Sequence, residues 1–515
     1  MKGLERLSVV RDLSRRPGWK HKELFRILRK DDIWIAAYEN LKGLTPGVRK
    51  ETLDGTSLIR LQKIQSKVLD EKYRFKPVKQ TWIPKANGKQ RLLGLPSPED
   101  KIVQEVIRMI LEAIYEPIFD TRSFGFRGGV GVHNALQYVE KEFRWVDWVI
   151  KGDIKNVYPT IEHNTLCDLL RHKIEDERFM NLIRKSLKCG VYINPETLYS
   201  KLGVPQGSIV SPILENIYYH ELDKWITEKG KELYSEKFTL RHPDYKRLEY
   251  QIGKLNKQLD QTERNSTQRN NLIREIKALI QQRNQTPSLL DKGIKIRYAR
   301  YADDWIIGIR GPKGLAKQIK EDVDGFLQTH LKQPIKTQII NIRAGKFSFL
   351  GYEIFLPRNM KLVKYKKKDG PPNLRFQVPI DTVLKRLKEH GYIAYKKHKV
   401  RPVSKRGYTP LEDKVIVNHF KSVWTGLLNF YSGTTNWSHL QYVHYLLHMS
   451  CAMTLAHRHR STSKKIFKKH GKRLEIKDKK AETLKVIAYF PYRTSWKVSD
   501  RKWQIAKSMK DPFTI

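Results

Sequence analysis

Two apolar runs in this chain end in aspartate, and they are far apart in sequence. The first, WVDWVIKGD at residues 145–153, closes on Asp153; the second, KIRYARYADDWIIGIRG at 295–311, carries Asp303 and Asp304 between its halves. Both runs are rich in β-branched and aromatic residues, the pattern of buried strands. In a straight strand successive side chains face opposite ways, so neighbouring carboxylates meet at one place only at a hairpin tip, where Asp also tolerates turn dihedrals. Adjacent carboxylates repel, which raises their proton affinity unless they share a multivalent cation. Oxygen-rich, incomplete sites of this sort suit Mg²⁺, with phosphate completing the shell. Asp153, flanked by Lys151 and Lys155, is the natural third carboxylate. Three acids from two strand ends make a two-metal site for in-line phosphoryl displacement, the reaction of a polymerase. Taken alone, a Y-x-D-D string is equally at home in a solvated surface turn.

Charge selects the partner. Lys and Arg number 100 against 54 acids, a formal net charge of +46 in 515 residues. Such a chain repels itself without counterions, and a nucleic acid backbone supplies them; a solvated surface or a scaffold role is the blander reading. The 39% hydrophobic content supports a sizeable core and about two to four domains. Cys167, Cys189 and Cys451 are widely spaced, so neither a disulfide framework nor a C-x-x-C zinc site is expected. The longest apolar run, around Tyr445 to Leu455, is short and broken by His448, so a soluble protein with no membrane contact is expected. The N-terminus has no secretory apolar core, and its acids weigh against an organelle presequence.

Along the chain, a helical lead-in gives way at Lys79–Leu95 to TWIP, a tight turn at ANGK and QRLLGLP, a basic β-hairpin. The following EDKIVQEVIRMILEAIYEPIF sets Ile102, Val106, Met109, Ile110 and Ala113 on one helical face, ended by Pro117. Residues 226–295 interrupt with a polar stretch in which Leu248, Ile252, Leu255 and Leu259, then Leu272, Ile276 and Leu279, recur at helical spacing. That pattern is a helical hairpin, either a coiled-coil arm or a solvated appendage. Beyond about Pro371 the chain is helical and basic, and HRHRSTSKKIFKKHGKR at 457–473 contains no acid.

With these motifs in order, the sequence resembles a group II intron-encoded reverse transcriptase and maturase, of the mitochondrial-like lineage, from about Trp34 to Ile476. The resemblance is carried by WIPKANGKQRLLGLP (82–96), KIVQEVIRMILEAIYEPIF (101–119), SFGFR (123–127), GDIKNVYPTIEH (152–163), GVPQGSIVSPILENIYYHELD (203–223), RYADD, IKTQII (335–340) and FLGYEI (349–354). It implies an α+β right-hand polymerase with fingers, an antiparallel-sheet palm, and a helical thumb fused to a maturase domain called X. The boundaries expected are an N-terminal extension at 1–75, fingers and first palm segment at 76–225, the insertion at 226–296, the second palm segment at 297–375, thumb and domain X at 376–475, and a basic tail at 476–515.

By the same resemblance, Asp153, Asp303 and Asp304 hold two Mg²⁺ ions, with the backbone carbonyl of Ile154 completing one of them. Lys85 and Arg91 hold the incoming triphosphate, a point charge beside a bidentate guanidinium. Tyr158 falls where reverse transcriptases put an aromatic gate under the sugar, so a 2′-hydroxyl collides with the ring and the substrate is a dNTP. Gln206 sits beside the nucleotide, and the glycines of GVPQGS let backbone approach the nascent base pair. Lys336 matches a lysine near the departing pyrophosphate, a general acid. GLLNFYSGTTNW at 426–437 and the basic run after it resemble domain X, making Arg458, Arg460, Lys464, Lys465, Lys468 and Lys469 RNA contacts. The implied partners are the intron RNA, a DNA target or primer and dNTPs, with no zinc.

The chain departs from the family pattern in places. Tyr158-Pro159-Thr160-Ile161-Glu162-His163 replaces F-D-N-I-D-H, and GVRK at 47–50 replaces G-V-D-G. Many relatives append a Cys/His-rich H-N-H endonuclease, which the last 40 or so residues have no cysteine to build, so second-strand nicking is expected to be absent. LKVIAYFPYRTSWKVSDRKW at 484–503 is either a reduced DNA-binding tail or a strand packed on the thumb. A splicing cofactor with a vestigial polymerase is the rival to an active enzyme; three clustered acids facing a polyanion favour the enzyme. A mitochondrion is the expected compartment, with bacterial cytoplasm the alternative.

Overall fold

The structure is a computed structural model that describes residues 2–41, 51–84, 90–154, 157–193, 196–198, 203–204, 207–234, 242–263, 266–286, 293–333, 335–357, 374–478, 485–493 and 501–505. For residues 83–84, 90–92, 153–154, 157, 193, 196–198 and 335, only the backbone is described.

Helices α1 (Gly3–Ser14), α2 (Asp31–Asn40) and α3 (Leu58–Leu69) form the lead-in. Strands β1 (Val78–Pro84) and β2 (Gln90–Leu95) pair antiparallel, from Lys79 opposite Leu95 to Pro84 opposite Gln90. Helix α4 (Pro98–Tyr115) starts on a Ser97 cap that accepts from the Asp100 N–H, with Pro98 in its first turn. The sequence gives α4 one apolar face, yet Val103, Ile107, Leu111 and Ile114 are buried as well. The reason is tertiary, since α1 and α2 pack on α4 from one side and a later helix packs on it from another.

The chain continues through α5 (Val132–Glu142), β3 (Trp148–Ile154), the single-turn α6 (Val157–Thr160), α7 (His163–Arg171) and α8 (Glu177–Leu187). Strands β4 (Val191–Ile193) and β5 (Glu196–Leu198) extend the first sheet to the order β2-β1-β4-β5. The 22-residue α9 (Ser211–Glu232) follows, then α10 (Pro243–Asp260) and α11 (Thr267–Gln285). Helices α10 and α11 pack on each other and bury only Ile252 and Ile276, as the narrow apolar stripe predicts.

Strands β6 (Lys295–Tyr301) and β7 (Asp304–Arg310), helix α12 (Lys313–Thr329) and strand β8 (Ile335–Asn341) complete a second sheet with the order β6-β7-β3-β8, antiparallel throughout. Both its faces are covered, which explains the unbroken apolar run of β7. Trp305, Ile307 and Ile309 face one core, with α4, α9 and α12; Ile306 faces the other, with α5 and the C-terminal half.

That half opens with β9 (Phe347–Phe349), β10 (Tyr352–Phe355) and β11 (Arg375–Gln377), a three-stranded sheet. Helix α13 (Ile380–Glu389) and the hairpin β12 (Ile393–Lys396) and β13 (Lys399–Pro402) lead to α14 (Asp413–Phe430), α15 (Trp437–Arg458) and α16 (Ser463–His470). Strand β14 (Ile476–Lys477) pairs with β15 (Val486–Ala488). In the tail, β15 lies on α14, and Phe490 is buried against His444 and His448. Further on, Trp503 returns to the three-stranded sheet and α5, donating to Glu140 Oε2 at 2.6 Å and packing on Phe376 and Tyr352. All three cysteines are buried free thiols, and among the described residues no helix is long and apolar enough to cross a membrane.

Candidate active site

Strand register assembles the acidic end of the second sheet. Asp153, next to last in β3, lies directly opposite Asp304, the first residue of β7, and on its other side opposite Lys336 of β8. Ala302 and Asp303 form the two-residue turn between β6 and β7, with Ala302 at a φ of 55°. Asp303 is exposed and Asp304 half-buried. Gly152 is required by close approach: it faces Trp305 across the ladder, and a Cβ there would overlap the indole.

A buried ionic network holds this hairpin from behind. Arg300, fully buried, donates from Nε to Asp223 Oδ1 at 2.8 Å and from Nη2 to Oδ2 at 2.7 Å, a bidentate pair. Its Nη1 donates to Asn216 Oδ1 at 3.0 Å and to the Ala302 carbonyl at 3.2 Å, which ties the turn to α9. Tyr298 donates to Asp223 Oδ1 at 2.8 Å. Burial works against the Arg300 charge, but the Asp223 carboxylate outweighs it and leaves the guanidinium's proton affinity above its ordinary value.

Around Asp304, Lys151 Nζ lies 3.7 Å from Oδ1 while donating to the Ser348 carbonyl at 2.7 Å. This carboxylate end therefore already draws a cation. Oxygen donors from two facing strand ends and a turn are the set that a hard divalent ion prefers, so the residues present fit such an ion.

Helix α6 sits beside this end and presents Tyr158, half-buried. The Val204 N–H donates to the Tyr158 carbonyl at 2.7 Å and the Gly203 N–H to the Ile161 carbonyl at 2.9 Å, so the GVPQGS segment grips the turn. Thr160 and Gln333 exchange two hydrogen bonds, 2.7 Å from the Thr160 hydroxyl to Oε1 and 3.1 Å from Nε2 to the Thr160 carbonyl. Glu215 of α9 is 1% exposed, and its Oε2 has no partner among the described residues. Burial pushes its carboxyl up to about 7; Tyr158 and Arg300 pull it down, and Asp303 pushes it further up.

The remaining expected residues are distributed as follows. Arg91 is in β2 opposite Ile83, and Ile154 ends β3 opposite Ile335. Lys336 is exposed on β8. Lys85 and Gln206 lie outside the described residues. Gly207, at a φ of 106°, has close contact within the chain as well: a Cβ there would come 2.7 Å from the Gly94 carbonyl oxygen. Its bareness lets the loop close on β2 of the chain itself.

On α16, Thr462 caps the helix by accepting from the Lys465 N–H, and Lys464, Lys465, Lys468 and Lys469 stand exposed opposite buried Ile466. With exposed Arg460 they have no ion pair among the described residues. Arg458 differs: its Nε lies 3.0 Å from Asp413 Oδ1 and its Nη1 donates to the Thr409 carbonyl at 3.1 Å, so it braces α15 internally.

Sequence reasoning missed Arg300, Asp223, Asn216 and Glu215. The available signal was polar residues inside an otherwise apolar helical segment: Asn216 and Asp223 are seven apart, on one face of α9.

An α+β domain whose antiparallel sheet brings acidic residues to two facing strand ends is consistent with the fold of a reverse transcriptase domain. A family profile described as reverse transcriptase (RNA-dependent DNA polymerase) matches residues 83–244, and a second, type II intron maturase, matches residues 372–511. The chain is 33% identical to the group II intron-encoded protein LtrA of Lactococcus lactis subsp. cremoris, over 86% of this chain and 76% of that protein. It is 34% identical to an uncharacterized 91 kDa protein in a cob intron of Schizosaccharomyces pombe, over 96% of this chain and 62% of that protein. It is also 34% identical to a putative COX1/OXI3 intron 1 protein of Saccharomyces cerevisiae, over 92% and 57%. The chain thus spans about three fifths of the length of these two yeast relatives. It belongs to the group II intron-encoded proteins, which join a reverse transcriptase domain to an intron maturase domain. A reverse transcriptase domain depends on divalent metal.

Proposed function

We propose that this chain is an RNA-directed DNA polymerase that copies its own intron RNA and, through its C-terminal half, binds that RNA and promotes its splicing. The observation that carries the reading is the register of β3 on β7, Asp153 opposite Asp304 with Asp303 at the adjoining turn. Asp153, Asp303, Asp304 and the Ile154 carbonyl would hold two Mg²⁺ ions, which when bound activate the primer 3′-hydroxyl and neutralise charge on the transferring phosphate. Lys85 and Arg91 grip the triphosphate of the dNTP, and Gln206 lies against the incoming nucleotide. Tyr158 blocks a 2′-hydroxyl, and Lys336 gives a proton to the departing pyrophosphate.

The thumb and maturase surface spans residues 376–475 in this reading. Arg460 and the four α16 lysines contact phosphates of the intron RNA, while Arg458 contributes by holding the end of α15 in place. The setting is a mitochondrion, as the cob and COX1 intron relatives suggest, with bacterial cytoplasm the alternative that LtrA represents.

Primer extension on an RNA template with a DNA primer, dNTPs and Mg²⁺ tests the reading. Extension by the wild type and none by Asp303→Ala is expected. No extension by the wild type, with intron splicing still promoted, would select a splicing cofactor whose palm is a scaffold.

A further inference from the structure

We propose that Lys151 is a positioning residue of the polymerase centre: a resident cation that holds the Asp304 carboxylate in place before the metal binds and limits how tightly the metal is then held. The inference rests on the reading of Asp153, Asp303 and Asp304 as the metal-binding set. No motif of the chain gives Lys151 a part in that set.

Lys151 is out of character for its strand. Its neighbours Val149 and Ile150 in β3 have no exposed surface, and it stands two positions before Asp153, at the strand end that gathers cations in this reading. A fixed ammonium there works against a divalent ion, so its presence calls for a use. Lys151 Nζ donates to the Ser348 carbonyl at 2.7 Å and to Ser348 Oγ at 3.1 Å, which commits two of its three N–H groups. The same nitrogen lies 3.7 Å from Asp304 Oδ1, an ion pair rather than a hydrogen bond. Ser348 is thus the anchor of the ammonium, and Asp304 is what the anchored charge acts on.

Strand register explains the reach. Lys151 is opposite Ile306 of β7, and Asp304 lies two residues before Ile306, so the two charged residues are diagonal neighbours on adjacent strands. Asp153, directly opposite Asp304, and Asp303 at the adjoining turn bring further carboxylates to the same end. Carboxylates gathered without a cation repel one another, and an ammonium anchored on Ser348 offsets that repulsion at Asp304. The other carboxylate oxygen is addressed from the same side, because the Leu350 N–H donates to Asp304 Oδ2 at 3.4 Å. Leu350 and Gly351 form the β9–β10 turn, at φ of 47° and 78°, and a Cβ on Gly351 would press on the Phe430 ring of α14. The anchor therefore belongs to a turn that is itself packed. One ammonium carries half the charge of a divalent ion, so Lys151 holds the place without closing it to metal. With 22% and 28% of the two side chains exposed, water weakens the attraction and keeps the expected effects moderate.

The experiment takes two readouts on the wild type, Lys151→Met, Lys151→Gln and Lys151→Arg. One is Mn²⁺ binding to the free protein, followed by the electron paramagnetic resonance signal of unbound Mn²⁺; the other is primer extension at saturating Mg²⁺. Lys151→Met keeps the apolar stem and removes the charge. It is expected to bind Mn²⁺ roughly three- to tenfold more tightly, and to lower kcat roughly tenfold with little change in KM for the dNTP. Lys151→Arg keeps the charge and should stay within about twofold of the wild type in both readouts. A lysine that served only the fold would lower metal affinity and extension together when removed. Mn²⁺ binding that weakens or stays unchanged in Lys151→Met therefore overturns the proposal, and so does tighter binding with undiminished kcat. A Lys151→Arg variant that behaves like Lys151→Met overturns it as well. If Lys151→Met does not fold, Lys151→Gln decides between the same outcomes. The metal reading fails separately: an Asp303→Ala variant that binds Mn²⁺ as the wild type does overturns the assignment of the acids, and the proposal with it.

Discussion

The hairpin that carries Asp303 and Asp304 and the helix α16 are both dense in charge, but the chain treats their charges in opposite ways. Behind the hairpin, Arg300 has no exposed surface and every donor group named above meets an internal acceptor. On α16 the lysines stand exposed, with no ion pair among the described residues. Internal charges fix geometry, because a partner lost in low dielectric cannot be replaced by water. External charges act through their sum on a polyanion, so losing one is a fractional loss. The hairpin should therefore fail all at once, and α16 by degrees.

Arg300→Met breaks the comparison on its rigid side. It strands Asp223 without a countercharge and should cost about 3–5 kcal/mol, read as a lowered denaturant midpoint together with loss of primer extension. A stability within 1 kcal/mol or so of wild type would show that the network is not what holds the turn.

His448 asks whether the helical half has an interior of the same kind. Burial, with neighbouring His444, lowers its pKa to about 4 from 6.5, only partly offset by its hydrogen bond to the Lys472 carbonyl. Unfolded chains take up the proton near 6.5 and the folded one only near 4, so this contribution is complete above 6.5 and is lost as the pH falls between those values. It reaches on the order of 3 kcal/mol. Unfolding at pH 7.5 and pH 5 should show a fall that His448→Gln flattens; equal pH dependence in both proteins contradicts it.

Neutralising Arg460, Lys464, Lys465, Lys468 and Lys469 to Gln tests the gradual side. Binding of the intron RNA should weaken stepwise, with the salt slope reduced by about 0.7–0.9 for each phosphate contact removed. The fold should be untouched, and Arg458→Gln should instead lower stability through its Asp413 pair. Smallest is Thr462→Ala, which removes the α16 cap and should cost about 1 kcal/mol, seen as faster amide exchange in residues 463–470 without loss of palm activity.

The same contrast separates what could be read from the sequence from what could not. The strands ending at Asp153 and flanking Asp303 and Asp304 were legible because strand pattern and acid chemistry coincide within a few residues. The α10–α11 pair was legible from its apolar spacing. Arg300 and Asp223 were not, because 77 positions separate them and their meaning exists only once α9 lies against β6. For α4 the spacing gave one buried face, and packing from several sides supplied the rest. Gly207 was legible as a special backbone position, but its neighbour, the Gly94 carbonyl, came from tertiary contact.

The central claim is that two separated strand ends and one turn form a single divalent site. Replacing the metal with Fe²⁺ and generating hydroxyl radicals cuts the backbone next to the bound ion. Cuts near both residue 153 and residues 303–304, with both lost together in Asp153→Asn and in Asp303→Asn, are the predicted result. Cutting at one of the two segments only, or cuts that persist in either variant, would contradict it.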